Sequence, residues 1–207
     1  MNNSKYMKSL TDILNSEILG LDVGINHPIV SCYQCKFNIF GDGHEIRSKR
    51  GDIHRKLTRI FNSNQSNKNK LNQFEKLLNK EASFLNDMNH KLSRQLVNFA
   101  AENGCNLIAM EKLDIKHDYL KPEHIHSYPF QKLQHMIEYK SAEQDIHILY
   151  VNPQHTSNIC PGCWTITKSE SSQFTCSKCG LTTMRDNLAS FNVKLRAINH
   201  IQTLRNK

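Results

Sequence analysis

Two kinds of residue in this chain have the chemistry and spacing of metal ligands, and the first is cysteine. Four of the seven cysteines form two CxxC pairs twelve residues apart: Cys160, Cys163, Cys176 and Cys179. Two such turns can bring four thiolates around one tetrahedral zinc ion, and Gly162 and Gly180 supply the tight turns that this geometry needs. Reactive or incidental cysteines are the alternative. Because a zinc ion with four thiolate ligands has no open position, the sequence predicts a structural zinc ribbon and places any catalysis elsewhere.

The second kind of residue is the carboxylate. Three carboxylates stand at positions where a negative charge is either expensive to bury or stabilised by its surroundings. Asp22 lies in an otherwise apolar run, ILGLDVGI, where an uncompensated carboxylate is expensive to bury. Glu111 ends a second apolar run, and sites assemble at the carboxyl ends of parallel strands. Asp186 begins the last predicted helix, whose N-terminus favours an anion. Each has a structural alternative: a hydrogen-bonded turn for Asp22, a salt bridge with Lys112 for Glu111 and a helix cap for Asp186.

Converging carboxylates would form a set of hard oxygen ligands suited to Mg²⁺ or Mn²⁺. Two such ions about 3.5 to 4 Å apart can activate water and stabilise the leaving oxygen of a phosphodiester. The residues therefore predict a metal-dependent endonuclease in which Asp22, Glu111 and Asp186 are both catalytic and magnesium-binding.

The distribution of charge favours nucleic acid as a partner. The formal net charge is +8, and the stretch from His44 to Arg94 carries twelve basic and five acidic residues. Its apolar residues recur at intervals of three and four, which indicates a long amphipathic helix with a cationic outer face. Six residues near its start are the predicted nucleic-acid contacts: Arg47, Lys49, Arg50, Arg55, Lys56 and Arg59. A solvated helix face is the alternative.

Short apolar strands surround this helix. They are predicted at 18–23, 29–34, 36–40, 106–110 and 146–151. The asparagine-rich stretch 62–72 interrupts the long helix as a helical hairpin or a mobile hinge, and further helices are expected around 130–140 and at 186–204. This order predicts an α/β protein, a mixed sheet flanked by helices, with the zinc ribbon inserted before the last helix.

The sequence also bears on where the protein works. No apolar run approaches the roughly 20 residues of a membrane span, and the first residues lack the apolar region and cleavage site of a signal peptide. We therefore expect a cytoplasmic, nucleoid-associated protein with no membrane partner, whose thiols are free or zinc-bound.

Three segments around the predicted metal ligands resemble a known family. GLDVGI with Asp22, AMEKLDIK with Glu111 and MRDNLASFNV with Asp186 look like the three RuvC motifs of the OrfB/TnpB proteins of insertion sequences, which are related to the compact type V CRISPR effectors. The resemblance covers about residues 18–199. It implies an RNase H-like (RuvC) fold with a four-cysteine zinc ribbon and, in full-length members, RNA-guided cleavage of DNA beside the ends of a transposable element.

The resemblance also implies a division of the chain into four parts. Residues 1–17 would be an N-terminal extension and 18–156 the RuvC-like nuclease core with a helical insertion at 44–104. Residues 157–180 would be the zinc ribbon, and 181–207 the third RuvC motif with its helix.

Two departures from the family pattern change what is expected. Met184 and Leu188 stand where the third motif usually has Asp and Asn. Only about eighteen residues precede the first motif, where family members carry a β-barrel and helical region that holds guide RNA, so a truncated or minimal form is expected. Expected partners are DNA, a guide RNA and a second polypeptide that supplies the missing region. The alternative function is a non-cleaving remnant or regulator that binds nucleic acid.

Overall fold

The computed structural model describes residues 17–113, 129–168 and 171–205. The described strands are β1 (Ile18–Asp22), β2 (Ile29–Tyr33), β3 (Lys36–Phe40), β4 (Leu107–Glu111), β5 (His147–Val151), β6 (Gln173–Thr175) and β7 (Thr182–Met184). The described helices are α1 (Gly43–Phe61), α2 (Asn67–Glu102), α3 (Phe130–Ala142) and α4 (Arg185–Arg205). The N-terminal extension predicted at 1–17 lies, apart from Glu17, outside the described residues.

The first five strands form one mixed sheet in the order β3-β2-β1-β4-β5. The strands β1, β2 and β3 pair antiparallel, as a meander does, whereas β1, β4 and β5 pair parallel. The helix α3 connects β4 to β5 and is the crossover that a parallel pair requires. The predicted α/β mixed sheet is therefore confirmed, as is the parallel unit of strand, helix and strand.

Helices cover both faces of this sheet because side chains alternate along each strand. In β1, Leu19 and Leu21 pack with residues of α2 and α3 in the main core, whereas Ile18 packs with α4 in a second cluster. In β4, Ile108 belongs to the main core and Ala109 to the α4 cluster. By the same alternation, the residues that end the two strands, Asp22 and Glu111, belong to the α4 face.

Helix α4 approaches β1 closely at Gly20. A Cβ atom at this position would lie 2.2 Å from the carbonyl oxygen of Ser190 and 2.6 Å from Cβ of Lys194, both in α4. Only glycine lets the helix and the strand come this near.

The asparagine-rich stretch forms a helical hairpin, one of the two structures expected for it. Helix α1 begins after Asp42, whose side chain accepts a hydrogen bond of 2.8 Å from the backbone N–H of His44. It ends at Phe61, and α2 begins after Ser66, so residues 67–72 are helical rather than part of the connection.

The ribbon is a small antiparallel hairpin of β6 and β7. Because β7 runs from Thr182 to Met184, the hairpin extends past the predicted ribbon boundary at residue 180. Among the helices in the described part of the chain, none is both long and apolar enough to cross a membrane.

Candidate functional site

The three predicted metal ligands come from three elements that meet on the α4 face of the sheet. Leu21 of β1 pairs in parallel with Met110 of β4, so the next residues along each strand, Asp22 and Glu111, end neighbouring strands at the same edge. Asp186 is the second residue of α4, which lies over this edge. The sheet register and the packing of α4 therefore bring the three carboxylates together.

The environment of Asp22 disfavours its ionised form. Burial raises the pKa of this carboxyl well above its ordinary value, and the negative charges of Glu111 and Asp186 raise it further. A backbone hydrogen bond at Val23 and the charge of Arg185 oppose these effects. A bound cation would relieve the same repulsion, so the arrangement fits a cation site.

The surroundings of Glu111 also disfavour its ionised form, although less strongly than those of Asp22 do. Burial raises its pKa, while a hydrogen bond from the Thr156 hydroxyl and the charge of Arg196 lower it. The amide of Gln134 in α3 donates a 2.8 Å hydrogen bond to the backbone carbonyl of Glu111, which holds the end of β4 in place. The alternative salt bridge with Lys112 is not among the interactions that shift this pKa.

Two further side chains touch the carboxylates, and sequence reasoning missed both. His27 places Nδ1 2.7 Å from Oδ2 of Asp186, with 28% and 31% of the two side chains exposed. Thr156 is buried, and the amide of Asn192 in α4 donates a 2.7 Å hydrogen bond to its backbone carbonyl. The only signal in the sequence was position, since these residues follow β1 and β5, and loop residues of these types are common.

The carboxylates are more widely spaced than the cysteines. Among the described residues, the four cysteines form the one group of three or more potential ligand residues whose donor atoms all lie within 4.8 Å of one another. The donor set of Asp22, Glu111 and Asp186 is nevertheless what Mg²⁺ and Mn²⁺ prefer, since all three residues offer carboxylate oxygen.

The sulfur atoms of the cysteines have the arrangement of a tetrahedral site. Sγ of Cys160 lies 3.5 Å from Sγ of Cys179, and Sγ of Cys163 lies 3.4 Å from Sγ of Cys176. Four sulfurs at about 2.3 Å from one zinc ion are separated by about 3.8 Å, so a small expansion would admit the metal. All seven cysteines of the chain are free thiols.

Backbone hydrogen bonds prepare one of these thiols for a metal. They come from the N–H groups of Cys179 and Lys178 and lower the pKa of Cys176 to about 6. Burial acts the other way on Cys160 and raises the pKa of that thiol. Since zinc binds thiolates, the metal would displace the remaining protons as it enters.

The ribbon is joined to α4 by a small apolar core. Leu188, one turn after the start of α4, packs with Phe174 of β6 and with Cys160 and Cys176. Leu188 is 2% exposed. Leu188, which stands where the family motif usually has Asn, therefore packs the ribbon against the helix that carries Asp186.

The six predicted nucleic-acid contacts all lie on α1, but they differ in how available their charges are. Five of them, all except Arg50, are exposed. Arg50 forms an ion pair of 2.6 Å with Glu81 of α2, and each side chain is only 11% exposed. The pair of Arg50 and Glu81 therefore links the two helices of the hairpin. Arg55 pairs with Asp52 at the surface.

Part of the chain matches proteins that have been described. A family model described as "Cas12f1-like, TNB domain" matches residues 130–193. A Cas12f1 endodeoxyribonuclease of Syntrophomonas palmitatica is 28% identical over 177 residues, which are 79% of this chain and 36% of that protein. A TnpB-like protein of Methanocaldococcus jannaschii is 27% identical over 76% of this chain and 63% of its own length.

The chain is related in sequence to TnpB-like and Cas12f1 proteins.

Solved structures support the fold assignment. A Cas12f1 complex with guide RNA and target DNA superposes with a TM-score of 0.68 at 20% identity, over 86% of this chain and 49% of that protein. A CRISPR-Cas12f ternary complex gives a TM-score of 0.70 at 22% identity, over 86% of this chain and 38% of that protein. These likenesses confirm the predicted RuvC-type, RNase H-like fold. The chain spans between about a third and two thirds of the length of the relatives named above.

Proposed function

We propose that this protein is a metal-dependent DNA endonuclease of the TnpB/OrfB type. The observation that carries the proposal is the convergence of Asp22, Glu111 and Asp186 at one edge of the sheet, where burial and the charges of Glu111 and Asp186 disfavour ionised Asp22 unless a cation is bound. The TnpB-like and Cas12f1 relatives support the substrate class, since the latter are endodeoxyribonucleases. We extend the proposal to a role beside transposable elements because one relative is a TnpB-like protein.

Magnesium or manganese would be held by these three carboxylates, and when bound it would activate a water molecule and stabilise the leaving oxygen of the phosphodiester. The chain's own residues prepare the ligands. Thr156 fixes one oxygen of Glu111 by donating a hydrogen bond, and His27 fixes one oxygen of Asp186. Each carboxylate therefore keeps its other oxygen for a cation.

A structural zinc ion in the four-cysteine cluster completes the proposed cofactors. It would hold the ribbon closed and, through the Leu188 contact, support the helix that carries Asp186. Thiolate ligands and a DNA substrate both favour an intracellular site of action.

Nucleic acid would be held mainly through its phosphates by the exposed cations of α1. Such contacts carry little sequence information, so we propose that target choice comes from a guide RNA or from a second polypeptide. One of the matching structures is a Cas12f1 complex with guide RNA and target DNA. Without either partner, the chain should not prefer one duplex sequence. A preference above about a hundredfold, roughly 2.7 kcal/mol, would contradict this.

The direct test is cleavage of labelled single-stranded DNA with and without Mg²⁺. Alanine at Asp22, Glu111 or Asp186 should abolish cleavage, and double variants should be no worse, because ligands of one site act as a unit. The control is Asp87→Ala, which removes an exposed carboxylate that pairs with Lys91 on α2. An active Asp22→Ala protein, or a wild-type chain that binds DNA but never cuts it, would overturn the proposal and favour the non-cleaving alternative.

A further inference from the structure

A cavity of about 420 Å³ opens beside the carboxylate site, between the β1–β2 connection and α1. Its walls include Gly24, Ile25 and Pro28 from the connection and Ile46 and Gly51 from the helix. This volume lies within the range of about 300 to 1,000 Å³ that small-ligand pockets occupy. Neither the carboxylates nor the zinc cluster uses this space.

The cavity has the composition of a site for a flat, partly apolar group. Its walls are mostly apolar, and Ile25 is 58% exposed, so much of its apolar surface is open to solvent. Gly24 and Gly51 contribute no side chain to these walls; a Cβ atom would lie 3.3 Å from the carbonyl oxygen of His27 at the first position and 3.4 Å from a guanidinium nitrogen of Arg55 at the second. Flipped nucleobases are held in this way, stacked between apolar or aromatic side chains.

The rim of the cavity carries a fixed positive charge. Arg47 donates hydrogen bonds of 2.9 Å to the carbonyl of Ile25 and to the side-chain oxygen of Asn26. Both acceptors are uncharged, so these bonds hold the guanidinium in place without neutralising it. A planar, positioned guanidinium can bind a phosphate or stack on a base.

The position of the cavity links it to the proposed cleavage site. Gly24 follows Asp22 by two residues, so the Cα atoms are at most about 7.6 Å apart. His27, on the same connection, touches Asp186. One segment of chain thus forms a wall of the cavity and contacts a carboxylate of the metal site.

We propose that the cavity between the β1–β2 connection and α1 binds one unstacked base of the DNA strand, next to the phosphodiester that is cut. The proposal rests on the proposed nuclease function for its substrate. In this proposal the cavity orients the DNA strand by binding a base, and Arg47 contacts the adjoining phosphate.

The first test measures single-turnover cleavage of single-stranded DNA in which one abasic nucleotide is moved stepwise past the cut. One position should slow cleavage about tenfold, in line with a stacked base. Gly51→Leu, which adds a large apolar side chain at a residue that lines the cavity, should slow cleavage of intact DNA about tenfold and remove the sensitivity to the abasic position. Ser48→Leu is the matched control, because it adds the same side chain at an exposed position of α1 outside the cavity.

A second test does not need cleavage. Single-stranded DNA carrying one 2-aminopurine is titrated with the full chain without magnesium, and the fluorescence should rise as the base leaves the stack. The rise should persist in Ser48→Leu and disappear in Gly51→Leu. Ile25→Ser should also reduce it, and this exposed position tolerates a polar side chain if leucine at Gly51 perturbs the helix.

The two tests separate the two proposals. A fluorescence rise that Gly51→Leu removes, in a chain that never cuts, supports the cavity and refutes the nuclease. Cleavage that no abasic position slows, or a rise that both cavity variants retain, refutes the cavity and leaves the nuclease standing. A wild-type chain that shows no rise at any base position also refutes the cavity.

Discussion

Replacing Gly20 with alanine should separate α4 from β1 and disable the carboxylate site from a distance. The added methyl group would lie 2.2 Å from the Ser190 carbonyl oxygen, whereas ordinary contact begins at 3.4 Å. The two elements must therefore move apart by about 1.2 Å. Backbone atoms form this contact, so no side-chain rotation can relieve it.

The expected effects follow from this distance. Forcing one methyl group into a tight interface costs about 1 to 3 kcal/mol of unfolding free energy. Because Asp22 is two residues along β1 and Asp186 lies on α4, a shift of about 1 Å should separate them and lower cleavage by about a hundredfold. Denaturant unfolding measures the first effect. The second is measured as the cleavage rate well below the unfolding temperature, together with the stabilisation that added Mg²⁺ gives.

Gly104→Ala is the matched control for lost stability. Gly104 has φ +67° and open space around it, so alanine there strains the backbone by roughly 1 to 2 kcal/mol without pushing on a neighbour. It also precedes β4, at the opposite end of the strand from Glu111. If Gly20→Ala and Gly104→Ala lose stability and activity in the same proportion, α4 does not control the site through this contact, and the reasoning fails.

Three further predictions concern metals, charge and the helical hairpin. Protein purified without added metal should contain close to one zinc per chain, and Cys176→Ser should lower both zinc content and melting temperature; a disulfide in place of zinc would contradict this. Folding raises the pKa of Asp22 above the value of about 3.9 that an aspartate has in the unfolded chain. The folded state therefore holds this proton more tightly, and ionisation of Asp22 at neutral pH lowers the free energy of unfolding. Asp22→Asn should therefore stabilise the metal-free protein at pH 7, with an advantage that shrinks as the pH falls towards about 4 and is absent below it; thermal unfolding across pH measures this, and a less stable variant at pH 7 would count against it. Glu81→Ala removes the carboxylate that pairs with the nearly buried Arg50 and should cost about 3 kcal/mol. Asp52→Ala breaks the exposed pair with Arg55 and should cost under about 0.5 kcal/mol; equal losses on denaturant unfolding would refute the distinction.

Local patterns were sufficient to predict the sheet and the edge at which Asp22 and Glu111 lie. The strand that contains Asp22 is apolar up to that residue, and Glu111 ends a similar strand, so the periodicity and the parallel crossover pattern indicated that both strands end at one edge. The cysteine spacing likewise predicted a cluster that the sulfur positions now show.

Contacts between distant segments could not be predicted. The pairing of Arg50 with Glu81 spans 31 residues, and it depends on the hairpin closing rather than hinging, which an asparagine-rich stretch leaves open. The contacts of Thr156 and His27 with the carboxylates depend on how loops cross the finished sheet. The close approach at Gly20 is also a property of the packed helix, since nothing around this glycine in the sequence distinguishes it.

The order of the three carboxylates along the chain has a consequence for synthesis. The ribosome releases Asp22 and Glu111 well before Asp186, and α4 can pack against β1 only after it has left the exit tunnel. A nascent chain that has folded its five-stranded sheet would still lack a third of the proposed metal ligands. If the proposed activity is correct, the emerging polypeptide cannot cut the nucleic acid that surrounds it, and cleavage begins only after α4 has docked.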